Sequence, residues 1–181
     1  MASTHVEKII DQLWRPIDET KKPPQVFAVL DAARNDGIYS KVLETNVPAV
    51  CLFRGDKARD LAHVAPYLVS LKPDDSFTRW LLNNGWGNSW GIFVASSVTL
   101  DQLKQHFRGF LIVYDEDATS LFFRYYDPRV LHVFLPTCDN EQLSTLFGPV
   151  DRYYVKGEDG DTLIGYSLVE TKLTEDMIKL G

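Results

Sequence analysis

Residues 87–91, Gly-Asn-Ser-Trp-Gly, match the G-x-S-x-G pattern of the nucleophile elbow in serine hydrolases. In that elbow, the glycines permit a strained turn that lifts the serine above a sheet, where a histidine and an acid activate it. Asp127 and His132 would supply the acid and the base for Ser89. An elbow needs a strand before its serine and a helix after it, whereas here a loop rich in Gly and Asn precedes Ser89 and an apolar strand is predicted at 92–95. A serine hydrolase is therefore the alternative hypothesis, and a fluorophosphonate that labels Ser89 would support it.

The sequence indicates neither a metal nor a cofactor. The four histidines, His5, His63, His106 and His132, include no pair at metal-ligand spacing. The acidic turns at 115–117 and 158–161 do not match the twelve-residue calcium loop with its distal Glu, and Asp and Gly favour turns for backbone reasons alone. No glycine-rich loop follows a strand in the way that phosphate binding requires. We predict a chain without catalytic residues, metal ligands or cofactor-binding residues.

Three tryptophans, Trp80, Trp86 and Trp90, fall within eleven residues of a segment rich in Gly and Asn. Large aromatic side chains either fill the end of a core or anchor a protein partner. We expect at least one of the three to belong to the core. Trp86 and Trp90 are nevertheless candidate partner-binding residues.

Residues 124–129, Arg-Tyr-Tyr-Asp-Pro-Arg, join a predicted strand to a predicted helix. In one interpretation Asp127 is the N-cap, the proline is the first helical residue, and the arginines are solvated. In the other, Arg124 or Arg129 pairs with a carboxylate such as Asp31 at a strand end, where α/β sheets commonly place their working surface. The residues alone leave both interpretations open.

The pattern of apolar residues predicts one α/β domain with a mixed sheet and short flanking helices. Apolar runs at 26–30 and 49–53, with a short helix around 38–43 between them, predict an N-terminal βαβ unit whose strands pair in parallel. A third strand is predicted at 90–95, and Thr99 with Gln102 forms a capping box that begins the next helix.

The remaining elements complete this domain. The sequence predicts a hairpin within 110–126, helices from Asp127 and Asp139, a C-terminal hairpin formed by 152–156 and 162–168, and a frayed helical tail. The organisation is then an N-terminal helix and linker (1–24), an α/β core (25–156), and a hairpin strand and tail packed on that core (157–181).

Length, composition and charge narrow the class of protein. A chain of 181 residues with 45% hydrophobic residues suits one globular domain and excludes a disordered protein. The net charge of −6, without a basic run, argues against nucleic acid and anionic membranes as partners. Cys51 and Cys138 are expected to be buried, reduced thiols, and the first ten residues lack the pattern of a signal peptide. We expect a soluble cytoplasmic protein.

An ordered set of short motifs resembles the type VI secretion adaptors, also called effector chaperones. The motifs lie at 27–33, 52–55, 65–69, 90–92 and 123–129, and the resemblance extends from about Val26 to about Tyr154. It implies a non-enzymatic cytoplasmic protein of a Gram-negative bacterium. Such a protein binds one toxic effector and helps to load it onto the spike protein of the secretion apparatus, without itself being secreted.

The resemblance also bears on where a partner would bind. Many members of that family carry a further helical lobe that grips the cargo, whereas this chain has some 27 residues after Tyr154. We therefore expect the α/β domain, or its terminal hairpin, to provide the docking surface. The predicted surface lies at the strand ends and is built by Asp31, Arg54, Tyr67, Arg124, Asp127 and Arg129, with the loop of Trp86 and Trp90 as second choice. An immunity protein is a further alternative, since it would also be small and acidic but would neutralise the toxin.

Overall fold

The computed structural model describes residues 3–17 and 22–181. Its α-helices are α1 (Ser3–Leu13), α2 (Asp36–Glu44), α3 (Gly55–Asp60), α4 (Ser76–Gly85), α5 (Leu100–Arg108), α6 (Pro128–Phe134) and α7 (Asn140–Phe147). Its strands are β1 (Gln25–Asp31), β2 (Ala49–Cys51), β3 (Pro66–Leu71), β4 (Gly91–Ser96), β5 (Ile112–Tyr114), β6 (Ser120–Phe122), β7 (Val150–Lys156), β8 (Thr162–Val169) and β9 (Lys172–Lys179). Short 3₁₀ turns occupy Ala32–Arg34, Ala62–Val64 and Leu135–Thr137.

Seven of the strands form one sheet in the order β2-β3-β1-β4-β7-β8-β9, while β5 and β6 pair only with each other. The strand β1 lies inside the sheet, and every residue from Val26 to Asp31 is buried. A strand covered on both faces is expected to be continuously apolar, as Val26–Leu30 is. The α/β domain with short flanking helices and a C-terminal hairpin is therefore confirmed.

The predicted parallel pairing of the βαβ unit is corrected by the strand order. The chain does run through β1, α2 and β2, but β3 lies between the two strands and pairs antiparallel with both. Val69 of β3 stands opposite Ala28 on one side and Ala49 on the other. All pairs of the large sheet are antiparallel, so the sheet is not mixed in strand direction. The cause is the apolar segment 65–69, for which no strand was predicted and which forms most of β3.

The predicted helical tail is also wrong, because residues 172–179 form β9. This strand pairs with β8 along its whole length, from Val169 opposite Lys172 to Thr162 opposite Lys179. The two-residue turn between them places Glu170 at φ +57°. Most of β9 is exposed, so pairing with its neighbour, and not its own apolar pattern, makes it a strand.

The predicted local signals at helix starts are confirmed. Thr99 and Gln102 form both hydrogen bonds of a capping box at α5, and Asp127 caps α6 with Pro128 at its first position.

Cys51 and Cys138 are free thiols that are half-buried, not buried as expected. Part of the predicted linker, residues 18–21, lies outside the described residues. No helix in the described ranges is both long and apolar enough to cross a membrane.

His106 gives the fold a pH-dependent stability. Its ring packs against Phe107 and Phe110, and its Nε2–H donates to the Leu146 carbonyl oxygen at 2.9 Å. Burial lowers the pKa of His106 below the ordinary 6.5, and this hydrogen bond only partly opposes the shift. The unfolded chain therefore binds the proton more readily, so this contribution is complete above about pH 6.5 and is lost as the pH falls. When the pH is lowered from about 7.5 to 5, the free energy of unfolding should fall less in His106→Gln than in the native protein.

The measurement is urea denaturation at both pH values. His63→Gln is the matched control, because His63 is exposed, and it should keep the pH dependence of the native protein. Equal losses in the native protein and His106→Gln would contradict the assignment.

Candidate partner-binding site

Two buried carboxylates lie where the predicted strand-end surface was placed. Asp31 is 1% exposed and Asp127 is 4% exposed. Asp31 ends β1, and its Oδ1 accepts the Ala33 N–H at 3.1 Å, which caps the 3₁₀ turn. Asp127 precedes α6, and its Oδ1 accepts the Arg129 N–H at 3.0 Å. Each acid therefore fixes the start of the element that follows it.

Three arginines neutralise the two acids. Arg124 donates from Nη2 to Asp31 Oδ2. Arg129 donates from Nε and Nη2 to the two oxygens of Asp127, at 3.0 and 2.7 Å. Arg34 joins the two pairs, because its Nη2 donates to Asp127 Oδ2 at 2.6 Å and its Nε lies 3.9 Å from Asp31 Oδ2. The structure combines parts of both interpretations of residues 124–129: Asp127 is an N-cap, and Arg124 pairs with Asp31. The expectation that the arginines are solvated without partners is wrong.

We name these five residues, Asp31, Arg34, Arg124, Asp127 and Arg129, the acid–arginine cluster. It ties the end of β1 to the start of α6. The hydrogen bond to Asp31 raises the pKa of Arg124 above its ordinary value. Arg124 is 44% exposed and Arg129 is 64% exposed on their side chains. A partner at this surface would meet the two arginines, while the acids beneath them are engaged inside the fold.

The other two residues of the predicted surface are not bonded to this cluster in the described residues. Tyr67 is buried on β3, and its hydroxyl donates to the Ala62 carbonyl oxygen at 2.9 Å. Arg54 is exposed just before α3. It lines a cleft of about 350 Å³ together with Lys57 and Phe122. Arg54 forms no hydrogen bond or ion pair with the acid–arginine cluster in the described part of the chain.

The hairpin of β5 and β6 was predicted from the sequence within 110–126. The exposure of its apolar side chains was not predicted. Five of its apolar side chains are exposed: Ile112, Val113, Tyr114, Leu121 and Phe122. Tyr114 is the most exposed, at 71%. The hairpin touches the body of the domain through Phe122, whose ring centroid lies 5.5 Å from that of Phe53. The segment then leads directly into Arg124 of the acid–arginine cluster.

The indoles of Trp86 and Trp90 pack into the protein. Their residues are 6% and 8% exposed. The Trp86 Nε1–H donates to the Gly160 carbonyl oxygen at 3.0 Å, and the Trp90 ring lies 5.4 Å from that of Trp80. Both indoles line a cavity of about 280 Å³. A partner would reach them through this cavity, and their role in binding stays a prediction.

Ser89 lies in the loop between α4 and β4, so the order of elements is the reverse of a nucleophile elbow. Its φ is +54°, and that of Gly87 is +92°. His132 lines the same cavity as Ser89, but its Nδ1 lies 2.5 Å from the Tyr166 hydroxyl. Asp127, the proposed acid, is held by Arg34 and Arg129. The three side chains are not linked as a triad in the structure.

The last glycine of the motif has a structural reason of its own. A Cβ on Gly91 would lie 2.2 Å from the Val29 carbonyl oxygen and 3.0 Å from Leu30 Cα. Both atoms belong to the backbone of β1, so the glycine permits the close approach of β1 and β4. Strand packing therefore explains why the last position of the motif is a glycine.

The comparisons with known proteins assign a family. Residues 26–145, which are 120 of the 181 residues, match the family described as Domain of unknown function (DUF4123). The matched range begins where the resemblance to the type VI secretion adaptors begins. Neither the curated proteins nor the solved structures gave a match. Because the matched range covers about two thirds of its length, the chain belongs to the DUF4123 family.

Proposed function

We propose that this protein is a non-catalytic adaptor that binds a type VI secretion effector in the cytoplasm and promotes its loading onto the spike protein. Membership of the DUF4123 family supports this proposal, because that family is associated with effector chaperones and adaptors of type VI secretion. All five motifs that resemble these adaptors lie within the matched range. The structural observation that carries the proposal is the exposed apolar hairpin formed by β5 and β6.

The exposed side chains occupy both faces of this hairpin. Register places Ile112 opposite Phe122 and Val113 opposite Leu121, so successive pairs point to opposite faces. A cluster of exposed apolar groups is costly in water and marks a surface that another molecule covers. Aromatic residues such as Tyr114 are typical anchors of protein interfaces.

The backbone of the hairpin offers a second means of binding. In the described residues, β5 and β6 pair only with each other, so each has one unpaired edge. An unpaired edge can accept an extended segment of a partner as an additional strand. The edge would supply backbone hydrogen bonds, and the apolar side chains would supply specificity.

Positive charges at the base of the hairpin complete this surface. Arg54 and Lys57 are both exposed, and Lys57 Nζ lies 4.8 Å from the centre of the Phe122 ring. A partner segment with apolar and acidic side chains would complement the hairpin and its base. We therefore place the effector on the hairpin and, beside it, on the exposed sides of Arg124 and Arg129.

The test uses a type VI secretion effector chosen from the genes that neighbour the gene of this protein. We expect Tyr114→Ser combined with Leu121→Ser to weaken capture of that effector at least about tenfold, because two central apolar contacts are lost. The matched control is Val169→Ser combined with Met177→Ser, since these side chains are similarly exposed at the other end of the sheet. Affinity is measured by calorimetry with purified proteins, and thermal unfolding verifies that both variants are folded.

Three outcomes would contradict the proposal. Equal affinity of the native protein and the hairpin variant would remove the hairpin from the interface. Covalent labelling of Ser89 by a fluorophosphonate would favour the serine hydrolase. An effector whose toxic activity is neutralised by the bound protein, with delivery independent of it, would favour an immunity protein.

A further inference from the structure

The cavity lined by Trp86 and Trp90 combines an apolar wall with positive charge. It lies between the loop that precedes β4, the start of α6 and the turn after β7. Leu30, Phe93 and the two indoles form its apolar part, whereas Arg129, His132 and Lys156 are its basic residues. Among the described lining residues, Glu158 is the one carboxylate, and its side chain is exposed in the turn.

Lys156 is the basic group of this cavity with no partner of its own. Within 3–17 and 22–181, its Nζ forms no hydrogen bond or ion pair. Its side chain passes close to two glycines: a Cβ on Gly87 or Gly160 would lie 3.8 or 3.6 Å from Lys156 Cε. By contrast, Arg129 is bonded twice to Asp127. Lys156 is half-buried as a residue, and an unpaired ammonium beside apolar walls favours an anionic ligand.

His132 adds a hydrogen-bonding group to the same wall. Burial raises the pKa of Tyr166 to about 12, so its hydroxyl keeps its proton at neutral pH. That hydroxyl lies 2.5 Å from His132 Nδ1, so Nδ1 is engaged inside the protein. Nε2 is then the ring nitrogen left for hydrogen bonding to a ligand.

The size of the cavity suits a single residue of a polypeptide. At about 280 Å³, it is just below the range of about 300–1,000 Å³ in which drug-sized ligands bind. The ligand must carry an apolar side chain and a negative charge within a few ångströms of each other. In a polypeptide, the C-terminal residue has both, because its α-carboxylate lies next to its side chain.

We propose that this cavity binds the C-terminal residue of a partner polypeptide, with an aromatic or large aliphatic side chain between the indoles and the α-carboxylate at Lys156. This inference rests on the proposed function, because it names the segment of the partner that the adaptor recognises. Capture of a terminal carboxylate is an established way to select one end of a chain. The hairpin and the cavity are then two separate parts of one docking surface.

The probes are two acetylated tetrapeptides, Ac-Gly-Ser-Gly-Phe as the free acid and as the C-terminal amide. We expect the acid to bind at least about tenfold more tightly than the amide and to change the tryptophan fluorescence, because Trp86 and Trp90 line the cavity. Lys156→Gln should reduce the affinity for the acid to that for the amide. Lys172→Gln is the matched control, since Lys172 is exposed at the far end of β9, and it should bind as the native protein does.

A further peptide that ends in Gly-Gly-Ser-Asp-amide tests whether a side-chain carboxylate can replace the terminal carboxylate. It should bind no more tightly than the amide of Ac-Gly-Ser-Gly-Phe. Equal binding of acid and amide, unchanged binding by Lys156→Gln, or no binding of the acid at millimolar concentration would each overturn the inference. These results are independent of the hairpin experiment. If the acid fails to bind while the hairpin variant still loses the effector, the cavity assignment alone is wrong.

Discussion

Asp127→Ala is expected to lower the free energy of unfolding by about 2–4 kcal/mol. The substitution removes the N-cap of α6, which is worth about 1 kcal/mol, and it also leaves Arg34 and Arg129 without their carboxylate. Loss of one partner from a fully buried ion pair costs about 3–5 kcal/mol. The cost here is smaller because Arg129 is largely exposed and its charge is screened by solvent.

Asp75→Ala separates the two contributions. Asp75 caps α4 in the same way, with its oxygen accepting the Phe77 N–H at 2.8 Å, and no ion pair of Asp75 is found among the described residues. We expect this control to cost about 1 kcal/mol. Urea denaturation of both variants at neutral pH gives the difference. If the two substitutions cost the same, the ion pairs of Asp127 with Arg34 and Arg129 contribute nothing to the free energy of unfolding. The acid–arginine cluster would then not stabilise the contact between β1 and α6.

The acid–arginine cluster is connected to both proposed binding surfaces, the β5–β6 hairpin and the cavity lined by Trp86 and Trp90. Arg124 follows the β5–β6 hairpin, while Pro128, Arg129 and His132 of α6 line the cavity. The cluster therefore fixes the orientation of both against the end of β1. In the proposed binding mode, the two acids position the groups that the partner contacts.

The parts of this arrangement that were predictable are those encoded within a few residues. The capping box of Thr99 and Gln102 and the cap at Asp127 are local patterns, because donor and acceptor lie two or three positions apart. Of the pairings between distant residues, only that of Arg124 or Arg129 with Asp31 was raised from the sequence, as one of two open interpretations. Arg34 reaches Asp127 across 93 positions, and no feature of residue 34 distinguishes it from a solvated arginine.

For the same reason, the sequence did not predict which strands pair with each other in the sheet. A short apolar run such as 65–69 predicts a buried segment but not the strands beside it. The insertion of β3 between β1 and β2 changed a parallel pair into two antiparallel ones. The exposure of the β5–β6 hairpin could not be foreseen either, because apolar residues in a strand ordinarily indicate burial.

Gly91→Ala is expected to destabilise the fold by about 3 kcal/mol, because the new Cβ would overlap backbone atoms and no flexible side chain is there to yield. The strand β1 cannot move away, since β3 holds its other edge along Val26–Asp31. Gly37→Ala is the control: its Cβ would lie 2.9 Å from the side-chain oxygen of Asn35. That oxygen caps α2 by accepting the Gly37 N–H, so its rotation costs about 1 kcal/mol, which the preference of about 1 kcal/mol for alanine over glycine in a helix offsets.

We expect this control to change the free energy of unfolding by less than about 1 kcal/mol in either direction, as measured by urea denaturation. The comparison also decides how the G-x-S-x-G pattern is understood. A large cost at Gly91 means that strand packing requires the glycine, so the pattern gives no evidence for an elbow. A cost no greater than that at Gly37 would leave the glycine without a structural reason, and the hydrolase hypothesis for Ser89 would regain support.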